Sequence, residues 1–365
     1  MALALAPSSP RKQGPSNFNL DSRLRGNERI KTRRAFRLLC ISICACVAAR
    51  ASAQTLDKVS FGTNWLAEGE HGGFYQAVAD GTYRQYGLDV KIVPGGPNVN
   101  NHILLAVGKL DFFMSANTLQ SFDAVEQDIP TLAVAAMFQK DPQIFMVHPD
   151  AGVERFEDLK RLTLYVSKEG VATYFQWLKA EFGFSEAQVK PYTSNAQPFL
   201  ADKRSALQGY VTSQPYAIEK QAHFWPKIFL LADEGFDSYS TLIETRRDLV
   251  AKRPDLVQRF VDASILGWTH YLYGDNAAAN ALIKRENPEM TDELLAYSLA
   301  KMKEYGIVDS GDAKTLGIGA MTEARMRSFY EKMVHAGAVK ATVDPEKAYT
   351  LQFVNKKIGL DFPRR

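Results

Sequence analysis

The chain has 365 residues, is 46% hydrophobic and 23% charged, and has a mean hydropathy of −0.22. That is enough for a sizeable core and more than one domain, with the composition of an ordinary water-soluble globular chain. Residues 1–53 hold ten of the 44 Lys and Arg but only two of the 41 Asp and Glu; the formal charge of +3 therefore conceals a mildly acidic remainder, which argues against nucleic acid as a partner.

Residues 1–30 are polar and aperiodic and read either as a disordered extension or as sequence ahead of the true initiator. Arg33-Arg34 then precede an apolar run at 36–49, closed by Ala51-Ser52-Ala53. Basic, apolar and small-residue regions in that order predict a signal peptide with cleavage near Ala53. The run is short for a membrane span, and a retained anchor is the competing reading. Cys40, Cys44 and Cys46 all lie inside it, so the mature chain is expected to have no thiol for disulfides, catalysis or metal binding.

Val59 and Phe61 alternate with polar neighbours as in a strand and run into Asn64-Trp65. Glu68, Glu70 and His71 follow, with Gly72-Gly73 leaving the backbone open to close approach. Phe74, Ala77 and Val78 give a helical stripe, Gly87 stops it, and 89–93 is a strand. A helix at 98–108, a strand at 109–114 ending in Ser115-Ala116-Asn117, a helix at 119–127 and strands at 131–138 and 143–148 continue the pattern. Repeated strand–helix–strand units predict a parallel sheet with right-handed crossovers. A second, smaller unit opens near Pro149: a short helix at 156–159, a strand at 162–166, the turn Ser167–Gly170, one helix at 171–182, strands at 189–192, 207–212 and 228–231, and a helix at 216–223. From Leu242 onward the pattern is helical, with helices at 256–273, 277–287, 291–305 and 323–336. Pro254 stands in the first turn of the longest of these. Thr291 lacks a Glu three residues on, so no full capping box forms there.

Strand-to-helix junctions are where open α/β sheets take ligands. Asn64 offers an amide and Trp65 an indole for stacking, unless Trp65 is a core anchor. His71 and Tyr75 are further wall candidates. No second His stands at a zinc-like spacing, so no metal site is expected. Ser115 and Asn117 mark another junction, where Asn117 reads equally as a helix cap. Ser167, Glu169 and Gly170 form the matching junction of the second unit, followed by Asn195, Thr212 and Gln214. The carboxylate of Glu169 disfavours a phosphate and suits a ligand with an amino group or ring nitrogen. Tyr210 alternates with Val211, so only one faces the junction. No P-loop, dinucleotide fingerprint, catalytic triad or cofactor motif is present.

The pair Asn64-Trp65, the stretch from His71 to Val90 (HGGFYQAVADGTYRQYGLDV), the Val93–Pro97 turn and Gly108-Lys-Leu-Asp-Phe112 resemble the opening of periplasmic solute-binding proteins of ABC importers. The nearest branch contains the thiamine-pyrimidine-precursor binders, with sulfonate and nitrate binders as cousins. The resemblance runs from about Val59 to about Gly235. It implies an α/β, two-lobed type II periplasmic-binding-protein fold, each lobe a mixed, mostly parallel sheet flanked by helices, with a helical C-terminal tail. The expected division is an extension and signal peptide at 1–53, the first part of lobe I at 54–140, lobe II at 141–234, and a return to lobe I plus helices at 235–365. Crossings near 139–143 and 231–239 would form the hinge.

The resemblance also implies a periplasmic, monomeric, non-enzymatic protein. It would capture a small polar, heteroaromatic ligand without a cofactor and hand it to an ABC permease with its ATPase. Trp65 matches the stacking Trp of the pyrimidine binders, and 71–75 the adjacent wall. The alternatives are an enzyme of thiamine-pyrimidine synthesis, whose cysteine-rich motif a mature chain without cysteine would lack, or a binder of an alkanesulfonate, nitrate or aromatic acid. Crowding of Glu68, Glu70 and Glu169 disfavours a compact anion.

Overall fold

The computed structural model describes residues 55–96 and 99–363; the extension, the signal-peptide run and the cleavage point expected near Ala53 lie outside the described residues. In chain order the main elements are β1 (Asp57–Gly62), α1 (Gly72–Ala79), β2 (Leu88–Val93), β3 (Phe112–Asn117), α2 (Thr118–Glu126), β4 (Thr131–Phe138), β5 (Gln143–Val147) and β6 (Thr163–Val166). Then come α3 (Lys168–Ala172), α4 (Tyr174–Phe182), β7 (Val189–Pro191), β8 (Ser205–Tyr210), α5 (Gln214–Ala222) and β9 (Lys227–Leu230). The chain finishes with β10 (Ser240–Arg246), α6 (Pro254–Tyr273), α7 (Ala277–Glu286), α8 (Asp292–Glu304) and α9 (Glu323–His335).

Two five-stranded sheets result, β2-β1-β3-β10-β4 and β7-β6-β8-β5-β9. In the first, β1 pairs parallel with β2 and β3, and β10 runs antiparallel between β3 and β4. In the second, β6 pairs parallel with β7 and β8, and β5 runs antiparallel between β8 and β9. The orders match. In each sheet the antiparallel strand is the one the chain makes first after crossing from the other sheet. The crossings start beyond the C-terminal ends of β4 and β9, so the strand that follows runs against its new neighbours. The sheets are therefore mixed rather than purely parallel.

β10 corrects the helical reading from Leu242 onward. It is buried along nearly its whole length, so its sequence STLIETR shows no inside–outside alternation. Its Glu244 is fully buried, and the Ser121 hydroxyl donates to that carboxylate at 2.6 Å. The single helix expected at 171–182 is broken at Thr173, whose φ of −114° and ψ of −103° leave the helical region.

α6 supplies the ring layer over the first sheet. Its Phe260 stacks on Phe112 with centroids 4.0 Å apart, and its Trp268 meets Phe74 edge-on at 5.8 Å. Each such ring, fully buried, contributes roughly 1.5–3 kcal/mol. α1 lies directly on α6. A Cβ on Gly72 would sit 2.2 Å from the Tyr271 ring, and one on Gly73 2.2 Å from Trp268. The room left by these glycines is filled by aromatic rings of α6.

Candidate ligand-binding site

Asn64 and Trp65 follow β1 at the C-terminal edge of the first sheet. The Thr63 hydroxyl donates to the Trp65 carbonyl at 2.8 Å and accepts from Gly95 N–H at 3.1 Å, which fixes the loop. Trp65 is 39% exposed, and the Asn64 Oδ1 is buried without a partner among the described residues. Gly69–His71 forms a single 3-10 turn leading into α1. His71 is fully buried, neither ring nitrogen has a partner among the described residues, and burial pushes its pKa down to about 3, so the ring is neutral. The Ser115 hydroxyl, near the end of β3, is buried and likewise unpartnered. Asn117 Oδ1 accepts from Leu119 N–H at 3.1 Å and caps α2.

The facing edge of the second sheet uses its polar groups locally. Ser167 Oγ caps α3 by accepting from Gly170 N–H at 3.0 Å. A Cβ on Gly170 would meet the Tyr174 hydroxyl at 2.6 Å, so this glycine makes room for a ring of its own chain. Tyr174 Oη and Ser167 N–H both donate to Gln208 Oε1, at 2.7 and 2.6 Å. Asn195 is exposed and accepts from Gln197 N–H at 2.9 Å. Gln214 Oε1 accepts from Tyr210 N–H and from the Ser213 hydroxyl.

Several contacts join the two edges. Thr212 Oγ1, beyond β8, donates to Glu70 Oε1, leaving Glu70 Oε2 buried and unpartnered among the described residues. Gln120 Nε2 of α2 donates to Glu169 Oε1 of α3 at 3.4 Å. Asn117 hydrogen-bonds Asp141, which sits in the short crossing between β4 and β5 and accepts from Gln143 N–H at 2.9 Å. α8 closes one side. Its Ser298 Oγ donates to the Thr212 carbonyl at 2.8 Å and its Tyr297 ring stacks on Trp225 at 5.7 Å, while a Cβ on Gly69 would strike Ser298 at 2.7 Å.

The junction is acidic. Burial lifts the Glu68 carboxyl well above its usual range, and the Glu70 charge adds to that. Burial also raises Glu70, against the hydrogen bond from Thr212 that pulls it down. Asp141 is pushed up to about 7 by burial and by Glu169, opposed by its bonds from Gln143 and Asn117. The Tyr210 phenol is raised by burial and by all four of these carboxylates, Asp141, Glu169, Glu68 and Glu70. None of the four has an ion-pair partner among the described residues.

Of the residues singled out in the sequence, Asn64, Trp65, His71, Ser115 and Asn117 lie along the first edge. Ser167, Glu169, Gly170, Asn195, Thr212 and Gln214 lie along the second. Tyr75 is not brought to them: it is buried, and its hydroxyl donates to Glu286 on α7. Asp141 and Gln120 escaped the sequence reading. An acidic residue in a crossing only a few residues long between two fully buried strands has little room to reach solvent. Ser298 left no signal, because a Ser inside an amphipathic helix normally faces water.

A model of the family described as NMT1/THI5 like matches residues 68–278. The riboflavin-binding protein RibY of Chloroflexus aurantiacus is 23% identical over 310 residues, covering 82% of this chain and 87% of that protein. The periplasmic aliphatic sulphonate binding protein SsuA from Escherichia coli superposes with a TM-score of 0.61 at 13% identity, over 80% of this chain and 91% of that one. The desulfurization enzyme DSZB gives 0.54 at 13% identity, over 82% and 98%. The two structural likenesses establish the periplasmic-binding-protein fold, a fold that carries an enzyme as well as binding proteins.

Proposed function

The chain belongs to the NMT1/THI5-like family, and from that premise we propose that it is the solute-binding component of an ABC importer. It takes a small, planar, hydrogen-bond-donating ring compound between the two sheets, without chemistry on it. It then presents the closed form to a membrane permease with its ATPase. The working compartment is the periplasm, reached by the leader read in residues 1–53. The observation that carries this reading is the contact of Glu70 with Thr212, a carboxylate beside the first sheet bonded to a hydroxyl beyond the second. Such a bond exists only when the two edges have come together, and a ligand that binds the joined state better shifts the equilibrium toward it.

Trp65 is the stacking face, and Asn64, His71 and Ser115 offer polar atoms that have no other partner among the described residues. The pyrimidine class suits this edge because a flat ring with amino groups uses both. The flavin bound by the Chloroflexus relative is larger, but it too is flat and hydrogen-bonding.

Thermal-shift titration of the purified protein with riboflavin, aminopyrimidines and alkanesulfonates tests the reading. A ligand at 100 times its dissociation constant adds about 2.7 kcal/mol of stability. A rise with a ring compound, accompanied by a smaller scattering radius, is the expected result. A rise with a sulfonate alone would reassign the ligand, and no rise with any compound would defeat the reading.

A further inference from the structure

The contents of the junction say more about the ligand than its outline does. Glu70 is held at one oxygen by Thr212 and is only 3% exposed, yet its second oxygen has no partner among the described residues. His71, next in the chain, is wholly buried with both ring nitrogens unpartnered. A carboxylate oxygen can only accept hydrogen bonds while ionised, and leaving one buried and unpaired is costly. Glu68, Asp141 and Glu169 act with Glu70 in raising the Tyr210 phenol, and none of these carboxylates has an ion-pair partner among the described residues. No group of three or more His, Cys, Asp or Glu among the described residues is placed to hold a metal ion.

We propose that the ligand carries a positive charge on a planar ring, as an amidinium or protonated amino-heterocycle does, and seats it against the free oxygen of Glu70 among Glu68, Asp141 and Glu169. This rests on the binding-protein reading and narrows it. A planar cation with fixed N–H groups meets a carboxylate through charge-assisted bonds, the strong class of hydrogen bond. Its ring remains free to stack on Trp65.

The test is calorimetric titration of the purified full chain with three planar probes of one shape and different charge: benzamidine, benzamide and benzoate. Benzamidine is expected to bind at least ten times more tightly than benzamide, with no heat from benzoate. Glu70→Gln should erase that preference while leaving the melting temperature equal or higher, since it removes an uncompensated buried charge. Glu331→Gln, on the exposed face of α9, should change nothing. Equal binding of benzamide or benzoate, or an unchanged order of affinities in Glu70→Gln, would overturn the proposal. Riboflavin binding where benzamidine does not would overturn the charge and leave the importer reading standing. Failure of every compound, charged and neutral, would overturn both.

Discussion

The two sheet edges that face each other share a strand order and differ in how their polar groups are used. Along the second edge, Ser167, Asn195, Gln208 and Gln214 each accept a bond from a backbone N–H within their own half of the fold. Along the first edge, Asn64, Glu70, His71 and Ser115 carry buried polar atoms with no partner among the described residues. A backbone donor satisfied by a side chain makes an edge rigid without a ligand, whereas buried polar atoms left unpaired cost free energy until something pairs them. The second edge therefore reads as a preformed wall and the first as the face that recognises. Similar sheets do not imply similar duties.

The crossing between the edges should show the largest effect. The folded state binds a proton on Asp141 more tightly than the unfolded chain does, with a pKa of about 7 against 3.8. Its contribution is therefore fully present below pH 3.8 and is lost as pH rises through 7, a span of up to about 4 kcal/mol. Asp141→Asn should remove that part of the slope, seen as a flatter melting temperature between pH 4 and 7 than in the parent. An unchanged slope would mean that Asp141 is solvated. His71 works in the opposite sense. Its lowered pKa makes stability complete above pH 6.5 and lost as pH falls toward 3, so His71→Gln should reduce acid sensitivity in that lower window.

Anchoring separates the edges next. Gly73→Ala forces a methyl group into the Trp268 ring and should cost about 3 kcal/mol. Gly170→Ala meets the end of the Tyr174 side chain at 2.6 Å and Val166 Cγ1 at 2.8 Å, less close than the 2.2 Å ring contact at Gly73, and should cost less. Equal losses of melting temperature would remove this difference between the edges. Binding separates them third. Trp65→Ala should weaken ligand affinity by roughly 1–3 kcal/mol, with little change in stability because the ring is exposed. Asn195→Ala should do the reverse at a smaller scale, losing one exposed turn hydrogen bond worth ~1 kcal/mol while affinity holds. If Asn195→Ala loses affinity and Trp65→Ala does not, the roles of the two edges are exchanged.

Much of this was legible in the chain. Strands that end in polar residues at a helix start, as Ser115–Asn117 does, carry local period and turn chemistry, and these place the edges without a structure. Three things were not local. β10 lacks alternation because both of its faces are buried, and the strands it pairs with are made about a hundred residues earlier. Gly72-Gly73 looked like room for a ligand because nothing nearby announces that Trp268 and Tyr271 will fill it. Tyr75 sits one turn into the right helix, but its direction is set by Glu286 on α7. Each miss is a contact between positions far apart in sequence.

The path of β10 also bears on the order in which the molecule is made. Strands of the second sheet come from one continuous stretch, 143–230, while β3 and β4 of the first meet only through β10. During synthesis or export the second sheet can complete itself while β3 and β4 still wait for residues 240–246, and pairing at such separation is slow because the loop must close first. Pulse-labelled hydrogen exchange during refolding should protect β5, β6 and β8 before β3 and β4. The edge proposed to recognise the ligand would then be the last part of the protein to exist, and on that proposal a chain interrupted before residue 240 should not hold solute.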